Sequence, residues 1–295
     1  MKRILSVSLG SSARDAEADV RALGEVFYLR RAGTDGDARA ALRMLRQNAG
    51  SVDAVGLGGT DLYLFAGGRR YALRASQAFA AAAGETPIVD GSGLKDTLER
   101  KLIGDLAASG TVDFARASVL LVCGMDRFGM AQALSRTGCR LTCGDLMFAL
   151  GLPFPVRKLA HLALLARVLA PVACRLPLAW LYPVGAAQRE RRPRFARAFA
   201  AADVIAGDFH FIRRYMPDAL PGKTIITNTV TAEDRALLRQ SGARLLVTST
   251  PRLEGRSFGT NAIEAMLVAA GARKRADYMA LLGEMQLAPD INFLQ

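Results

Sequence analysis

Short apolar runs ending in glycine or small polar residues alternate with helix-periodic segments along almost the whole chain. This alternation constrains the fold more than any other feature. A parallel strand buried on both faces is apolar throughout, and the helix after it carries the chain back to start a parallel neighbour. SVLLVCG, at 118–124, is the clearest run, fully apolar up to its cysteine and glycine. RILSVSLG, VFYLRRAGT, DAVGLGG, TPIVDG, CRLTCGD, ADVIAGD, KTIITNT and ARLLVTST read the same way. Helical periodicity is predicted over Ala13–Leu23, Asp37–Gln47, Ser76–Ala83, Leu94–Ser109, Met130–Arg136 and Asn261–Ala270. TDLYLFAGGRRYALR reads as a hairpin turning at Gly67 and Gly68. The expected class is α/β. A small N-terminal α/β domain over 1–113 carries substrate groups, and the Leu94–Ser109 helix bridges onward. A Rossmann-like parallel-sheet domain over 114–275 follows, with an apolar helical insert at 153–200. The tail, 276–295, is expected to pack back on the first domain.

Composition narrows the function. The chain has 295 residues, 51% of them hydrophobic, enough for one or two cores and too apolar for disorder. Four cysteines make no disulfide scaffold, and Cys139 and Cys143 lack a second pair for zinc, so no metal site is expected. The first apolar run is short and is followed by Asp15, Glu17 and Asp19, unlike a secretory signal; a cytoplasmic location is expected. The net charge of +12 is mostly arginine, and its densest run, Gln188 to Arg197, reads first as a solvated helix start; the second reading is an anionic partner such as nucleic acid, a lipid headgroup or a phosphorylated substrate, and a small anionic substrate is the partner expected. No zinc-finger spacing, RNP-like segment or interleaved aromatic stripe supports nucleic acid. The segment 153–183 is almost wholly apolar apart from Arg157, Lys158, His161, Arg167 and Arg175. Prolines at 171, 177 and 183 cut it too short to span a bilayer. It reads as two buried or homodimer-forming helices, with His161 a core or interface residue. Peripheral membrane contact is the second reading, since Trp180 and Tyr182 suit an interface.

Several segments carry chemistry. In SVLLVCGMDRFGMAQAL a buried strand ends at Gly124 and a helix begins near Gly129, the place where a dinucleotide pyrophosphate rests on a helix N-terminus. Asp145, 21 residues after Gly124, suits the ribose hydroxyls and leans toward NAD over NADP. Laid on GxGxxG, the middle glycine is Asp126, a carboxylate whose repulsion Arg127 offsets. The remaining cofactor-binding candidates are Thr227 and Asn228 at one strand end, and Thr250, Arg252 and Arg256 in the loop after the last strand. VIAGDFHFIRRYMP places Asp208 and His210 at another strand end. In an extended segment they share a face, so Asp208 would set the tautomer of an acid–base His210, with Arg213 binding a carboxylate.

TPIVDGSGLKDTLERKL ends a strand in Asp90 and turns through Gly91 and Gly93 into a long helix. This stretch, Val89 to Leu94, resembles the TDGxGL turn of the shikimate/quinate dehydrogenase family, in which the Rossmann glycine, here Gly124, follows one helix later. SLGSS, Ser8 to Ser12, sits where that family places substrate-binding serines. The resemblance implies that Asp90 holds a substrate hydroxyl and shares in proton transfer. It implies that Ser11 and Ser12 bind the substrate carboxylate and that Asp145 faces the cofactor ribose. The family's catalytic lysine is missing upstream of Asp90, where Lys2 stands alone, so Asp61, Tyr63 or Lys95 would supply the base. Read on its own residues, Asp90 is equally a helix cap.

The expected function is therefore an NAD(P)-dependent oxidoreductase acting on a hydroxylated carboxylic acid resembling quinate or shikimate. Two alternatives stand beside it. One is a non-redox Rossmann-like enzyme or transferase using a nucleotide or phosphorylated ligand. The other is a membrane-surface or partner-binding protein acting through 153–183.

Overall fold

Two sheets organise the chain, each dominated by parallel pairs. The computed structural model describes residues 1–66, 69–176, 190–249, 252–253, 256–257, 259–285 and 289–294. The first elements are β1 (Lys2–Ser8), β2 (Ala16–Ala22), β3 (Glu25–Gly33), α1 (Ala38–Asn48), β4 (Ala54–Gly58), β5 (Tyr63–Ala66), β6 (Arg69–Ala72), α2 (Gln77–Ala82), β7 (Ile88–Val89) and α3 (Ser92–Ala108). Next come β8 (Ser118–Leu121), α4 (Phe128–Arg136), β9 (Arg140–Cys143), α5 (Asp145–Leu150), α6 (Leu159–Ala173), α7 (Ala196–Ala201), β10 (Val204–Ala206), α8 (Phe209–Tyr215), β11 (Thr224–Thr227) and α9 (Ala232–Gln240). The last are β12 (Leu245–Thr248), β13 (Arg252–Leu253), β14 (Arg256–Ser257), α10 (Thr260–Ala269), α11 (Arg275–Glu284) and β15 (Asp290–Phe293). The molecule is α/β.

The first sheet runs β2-β3-β1-β4-β7, parallel except for the antiparallel edge strand β2. Alternation along β1 sends Leu5 and Val7 to one face, where α1 and α2 cover them through Ala41, Leu45 and Phe79. The opposite face carries Ile4 and is covered by Leu94 and Leu98 of α3 together with α10 and Leu282 of α11. The second sheet runs β9-β8-β10-β11-β12-β15, parallel except for β15. Leu102, Ile103 and Leu106 of α3 cover one of its faces with α4 and α6. Phe148, Phe199, Ile212 and Leu238 cover the other. The two ends of α3 therefore serve different sheets.

Three expectations are corrected. Ala13–Leu23 is not a helix: Ser12–Arg14 forms one 3-10 turn and Ala16–Ala22 is strand β2. The reason is period two, since Glu17, Asp19 and Arg21 face solvent while Ala18, Val20 and Ala22 face inward. The helix at 261–270, expected within the second domain, packs on the first sheet. Asn261 Nδ2 donates to Ser6 Oγ at 2.8 Å, and a Cβ at Gly56 would stand 2.5 Å from the Asn261 carbonyl oxygen. The C-terminal tail divides: α11 packs on the first sheet as expected, but β15 pairs with β12 of the second, Leu245 opposite Phe293.

The long described helix of the apolar insert is α6. It buries Leu162, Ala166 and Ala170, while Leu164, Val168 and Val172 are each about 60% exposed. His161 is exposed on it, not a core residue. Trp180 and Tyr182 lie outside the described residues. Among the described residues no helix is long and apolar enough to cross a membrane.

Candidate functional site

The order of the second sheet departs from the 3-2-1-4-5-6 arrangement of dinucleotide-binding domains. Its first strand, β8, has β9 on one side and β10 on the other, the 2-1-3-4-5 order of other doubly wound sheets. Ligands in such sheets bind outside the strand ends where the order reverses, here between β8 and β10. In the first sheet the same reversal falls between β1 and β4. The segments that follow β4, β7 and β8 meet in a cleft lined by Tyr63, Phe65, Ser92, Lys95, Asp126 and Phe128, with Asp96, Glu99, Arg127 and Gly129. The room inside it is about 10 Å³, enough for about one water.

Helix α3 builds one wall. Ser92, Lys95, Asp96 and Glu99 follow helical spacing and so share a face. Gly91 starts the helix with φ +87°, and a Cβ there would stand 2.6 Å from Thr260 Oγ1, so glycine is required twice over. Gly129 answers the same need on α4, because a Cβ would overlap Asp96 Oδ1.

The charges in the cleft are mixed and mostly paired. Lys95 Nζ lies 3.4 Å from Asp61 Oδ1 and 3.9 Å from Asp126 Oδ2. Burial pulls the Lys95 ammonium down, but Asp126 and Asp61 outweigh it and hold the group charged. Burial, with Asp61, Asp208 and Asp145 nearby, pushes the Asp126 carboxyl up, against the pull of Lys95. Arg127, 1% exposed, donates to Glu99 and, at 2.8 Å, to Asp208. Burial acts to raise Asp208, yet Arg127, His210 and Lys95 bring it to about 2. Asn228 Nδ2 also donates to Asp208 at 3.0 Å, and Thr227 Oγ1 donates to Asn228 Oδ1 at 3.1 Å. A second charge of either sign entering this cluster meets a like charge. At about 4 Å, with an effective dielectric of about 20, that repulsion is about 4 kcal/mol.

Of the residues singled out from the sequence, the cleft unites Asp61, Tyr63, Lys95, Asp126, Arg127 and Gly129. Asp90 lies just behind it. Its oxygens accept from the amides of Leu62, Tyr63 and Ser92 and from Ser92 Oγ. Those four bonds fill a carboxylate's acceptor capacity, so Asp90 ties the loop after β4 to the start of α3. Ser11 and Ser12 are engaged elsewhere: Ser11 Oγ caps its own turn, and the Ser12 amide donates to Asp35. His210 is exposed, and Asp208 accepts from its backbone amide as the cap of α8, so the two do not share an extended face. Arg213 is held by Asp234 at 2.8 Å and Glu233 at 3.3 Å. Thr250 and the side chains of Arg252 and Arg256 lie outside the described residues. The sequence reading passed over Ser92, Asp96 and Glu99. Their spacing with Lys95 along one helix was the available signal.

The turn after β8 does not fit a dinucleotide. Gly124 and Met125 direct their amides at the buried Asp145, at 3.0 and 2.7 Å. Burial pushes Asp145 up to about 6, against those two hydrogen bonds. The donors that would hold a pyrophosphate are thus spent on a carboxylate of the chain itself, and the residue expected on the ribose is the one that occupies them.

No curated protein matches the chain. Solved structures that match include a 5-methylthioribose transporter solute-binding protein from Thermotoga lettingae, with TM-score 0.38, 13% identity, and 99% of this chain and 87% of that one covered. A glucose-galactose binding protein from Geobacillus stearothermophilus matches with TM-score 0.39, 10% identity and coverage of 99% and 97%. A carbohydrate transporter solute-binding protein from Agrobacterium radiobacter, in complex with D-arabinose, gives TM-score 0.39, 10% identity and coverage of 99% and 94%. At these scores the likeness says nothing of this chain's ligand. The occupied turn overturns the NAD(P)-dependent oxidoreductase expected from the sequence. A domain of unknown function, DUF8753, matches residues 3–90. The chain belongs to the family described as a domain of unknown function, DUF8754, which matches residues 93–294.

Proposed function

We propose that the chain binds a small polar molecule in the cleft between its two sheets. One observation carries the reading: a cavity lined by Lys95, Asp126 and aromatic side chains lies at the strand ends beside the β8/β10 reversal. Tyr63, Phe65 and Phe128 supply apolar wall, while Lys95 and Asp126 supply convergent polar groups. The small partner expected from the sequence is kept, but its anionic character is not. Among the described residues Lys95 and Arg127 are the cations lining the cavity, and each faces two carboxylates.

The test does not require knowing the ligand. The purified chain and its Asp126→Asn and Lys95→Met variants are incubated with a small-molecule cell extract, filtered and washed, and the retained compounds identified by mass spectrometry. A compound retained by the wild type and lost from both folded variants is expected. Retention that is unchanged in both variants, or no retained compound, overturns the cleft as a binding site.

A further inference from the structure

Exposed apolar side chains are not spread evenly over the described surface. Leu150, Leu152, Phe154, Leu164, Val168 and Val172 all fall within residues 150–172. On α6 the last three stand at i, i+4 and i+8, so they form one row along the helix. Leu162, Ala166 and Ala170 are the buried side of the same helix. A surface helix ordinarily carries polar residues opposite its buried stripe, whereas α6 is apolar on both sides. The charge around the exposed row is of one sign. From Leu146 to Arg189 the sequence holds no aspartate or glutamate. Arg157, Lys158, Arg167 and Arg175 lie before, along and after α6, and all four are exposed. No carboxylate of the segment itself neutralises them.

We infer that α6 lies on the surface of an anionic phospholipid bilayer. The row of Leu164, Val168 and Val172 enters the boundary between headgroups and acyl chains, and the four cations meet lipid phosphates. The inference is independent of the cleft, whose lining residues do not come from α6. Three occupants suit an apolar row, and charge separates them. A second copy, related by a two-fold axis, brings Arg157, Lys158, Arg167 and Arg175 toward their own counterparts, with no carboxylate in the segment to pair them. A neutral groove on another protein covers the row and leaves the cations without partners. An anionic bilayer satisfies both at once, because apolar side chains leave water where guanidinium and ammonium groups reach phosphate. The long stems of Arg and Lys extend from the helix flank to the headgroups. With 15 residues α6 is shorter than the about 20 that span a bilayer, so the contact runs along the surface. Apolar insertion and headgroup attraction are each weak alone, and attachment takes both.

Flotation of the full chain with unilamellar vesicles tests this. One set is phosphatidylcholine alone, and the other adds about 30% phosphatidylglycerol. The wild type is expected to bind the anionic set at least about 10-fold more tightly, and to detach as salt rises from about 0.05 M to about 0.5 M. A variant with Leu164→Gln, Val168→Gln and Val172→Gln keeps the charge, and glutamine is a good helix former at exposed positions. It is expected to bind anionic vesicles about 10-fold more weakly or worse. A second variant, with Arg157→Gln, Lys158→Gln, Arg167→Gln and Arg175→Gln, keeps the row. It is expected to bring the two vesicle sets within about 3-fold of each other. No binding of anionic vesicles at low salt overturns the inference. Binding unchanged in the folded apolar variant overturns it too, since the net charge of +12 then adsorbs without α6. Equal binding of both sets by the wild type, or an anionic preference kept by the charge variant, overturns the anionic class. A dimer in sedimentation velocity that the apolar variant dissolves assigns the row to a second copy and overturns the bilayer.

Discussion

Replacing Glu264 by glutamine should stabilise the protein more as the pH rises. Glu264 is on α10, 3% exposed, where the helix docks on the first sheet. Its Oε1 accepts from Tyr278 at 2.9 Å, while Oε2 is buried with no partner. Burial and the nearby Asp90 push the carboxyl from its ordinary 4.5 up to about 8, against the Tyr278 hydrogen bond. A raised carboxyl means that the folded state holds the proton more tightly than the unfolded chain. The stability it lends is fully present below 4.5 and is lost as the pH rises through about 8. At about 1.4 kcal/mol per pH unit the full loss is about 5 kcal/mol, and relaxation around the charged form brings the expected figure to about 2–4 kcal/mol. Glutamine keeps an oxygen for Tyr278 and cannot ionise. Urea denaturation of both proteins at intervals from pH 5 to pH 9 isolates the effect, because all other titrations cancel in the difference. The gap should open in favour of Glu264→Gln across pH 5–9. A difference that stays constant with pH would refute the reasoning, whatever its size.

Other outcomes follow from the same geometry. Arg127→Met should cost about 3–5 kcal/mol by leaving buried Glu99 and Asp208 unpaired, and adding Glu99→Gln should restore part of it in urea melts. Asp145→Ala should free the Gly124 and Met125 amides and cost about 1–3 kcal/mol, seen as faster hydrogen exchange at those two positions. Unchanged exchange would mean that Asp145 does not hold the turn. Gly56→Ala should lower stability by about 1–3 kcal/mol or more, because the added Cβ meets the Asn261 backbone at 2.5 Å rather than a movable side chain. A neutral result in a denaturant melt would show that α10 is not seated on β4. Arg213→Ala should leave ligand retention intact, since Asp234 and Glu233 hold that arginine.

The local grammar was legible in the sequence. SVLLVCG, KTIITNT and ARLLVTST became β8, β11 and β12 because a fully apolar run can be buried on both faces and little else. The glycine turn at 91–93 was legible as a strand-to-helix junction. Lys95, five residues past Asp90, was already a candidate base. The segment from Ala16 to Ala22 was misread as helix because of its alanine content, although its strict alternation of charged and small residues is a strand pattern.

What stayed hidden was set by contacts between residues far apart in the chain. Asp126 and Asp145 both looked like cofactor contacts, and nothing local tells a free amide turn from one already capped by a carboxylate 20 residues on. Helix α10 carries the composition of any buried helix, and only packing decides that it completes the sheet begun by β1 rather than the one it directly follows. The sequence by itself determined the elements and their class, because periodicity and β-branching act within a few residues. The tertiary structure alone decided which charges share the cleft, because Coulomb forces and burial depend on distances in space, and β8 and β10 become neighbours only when the sheet forms.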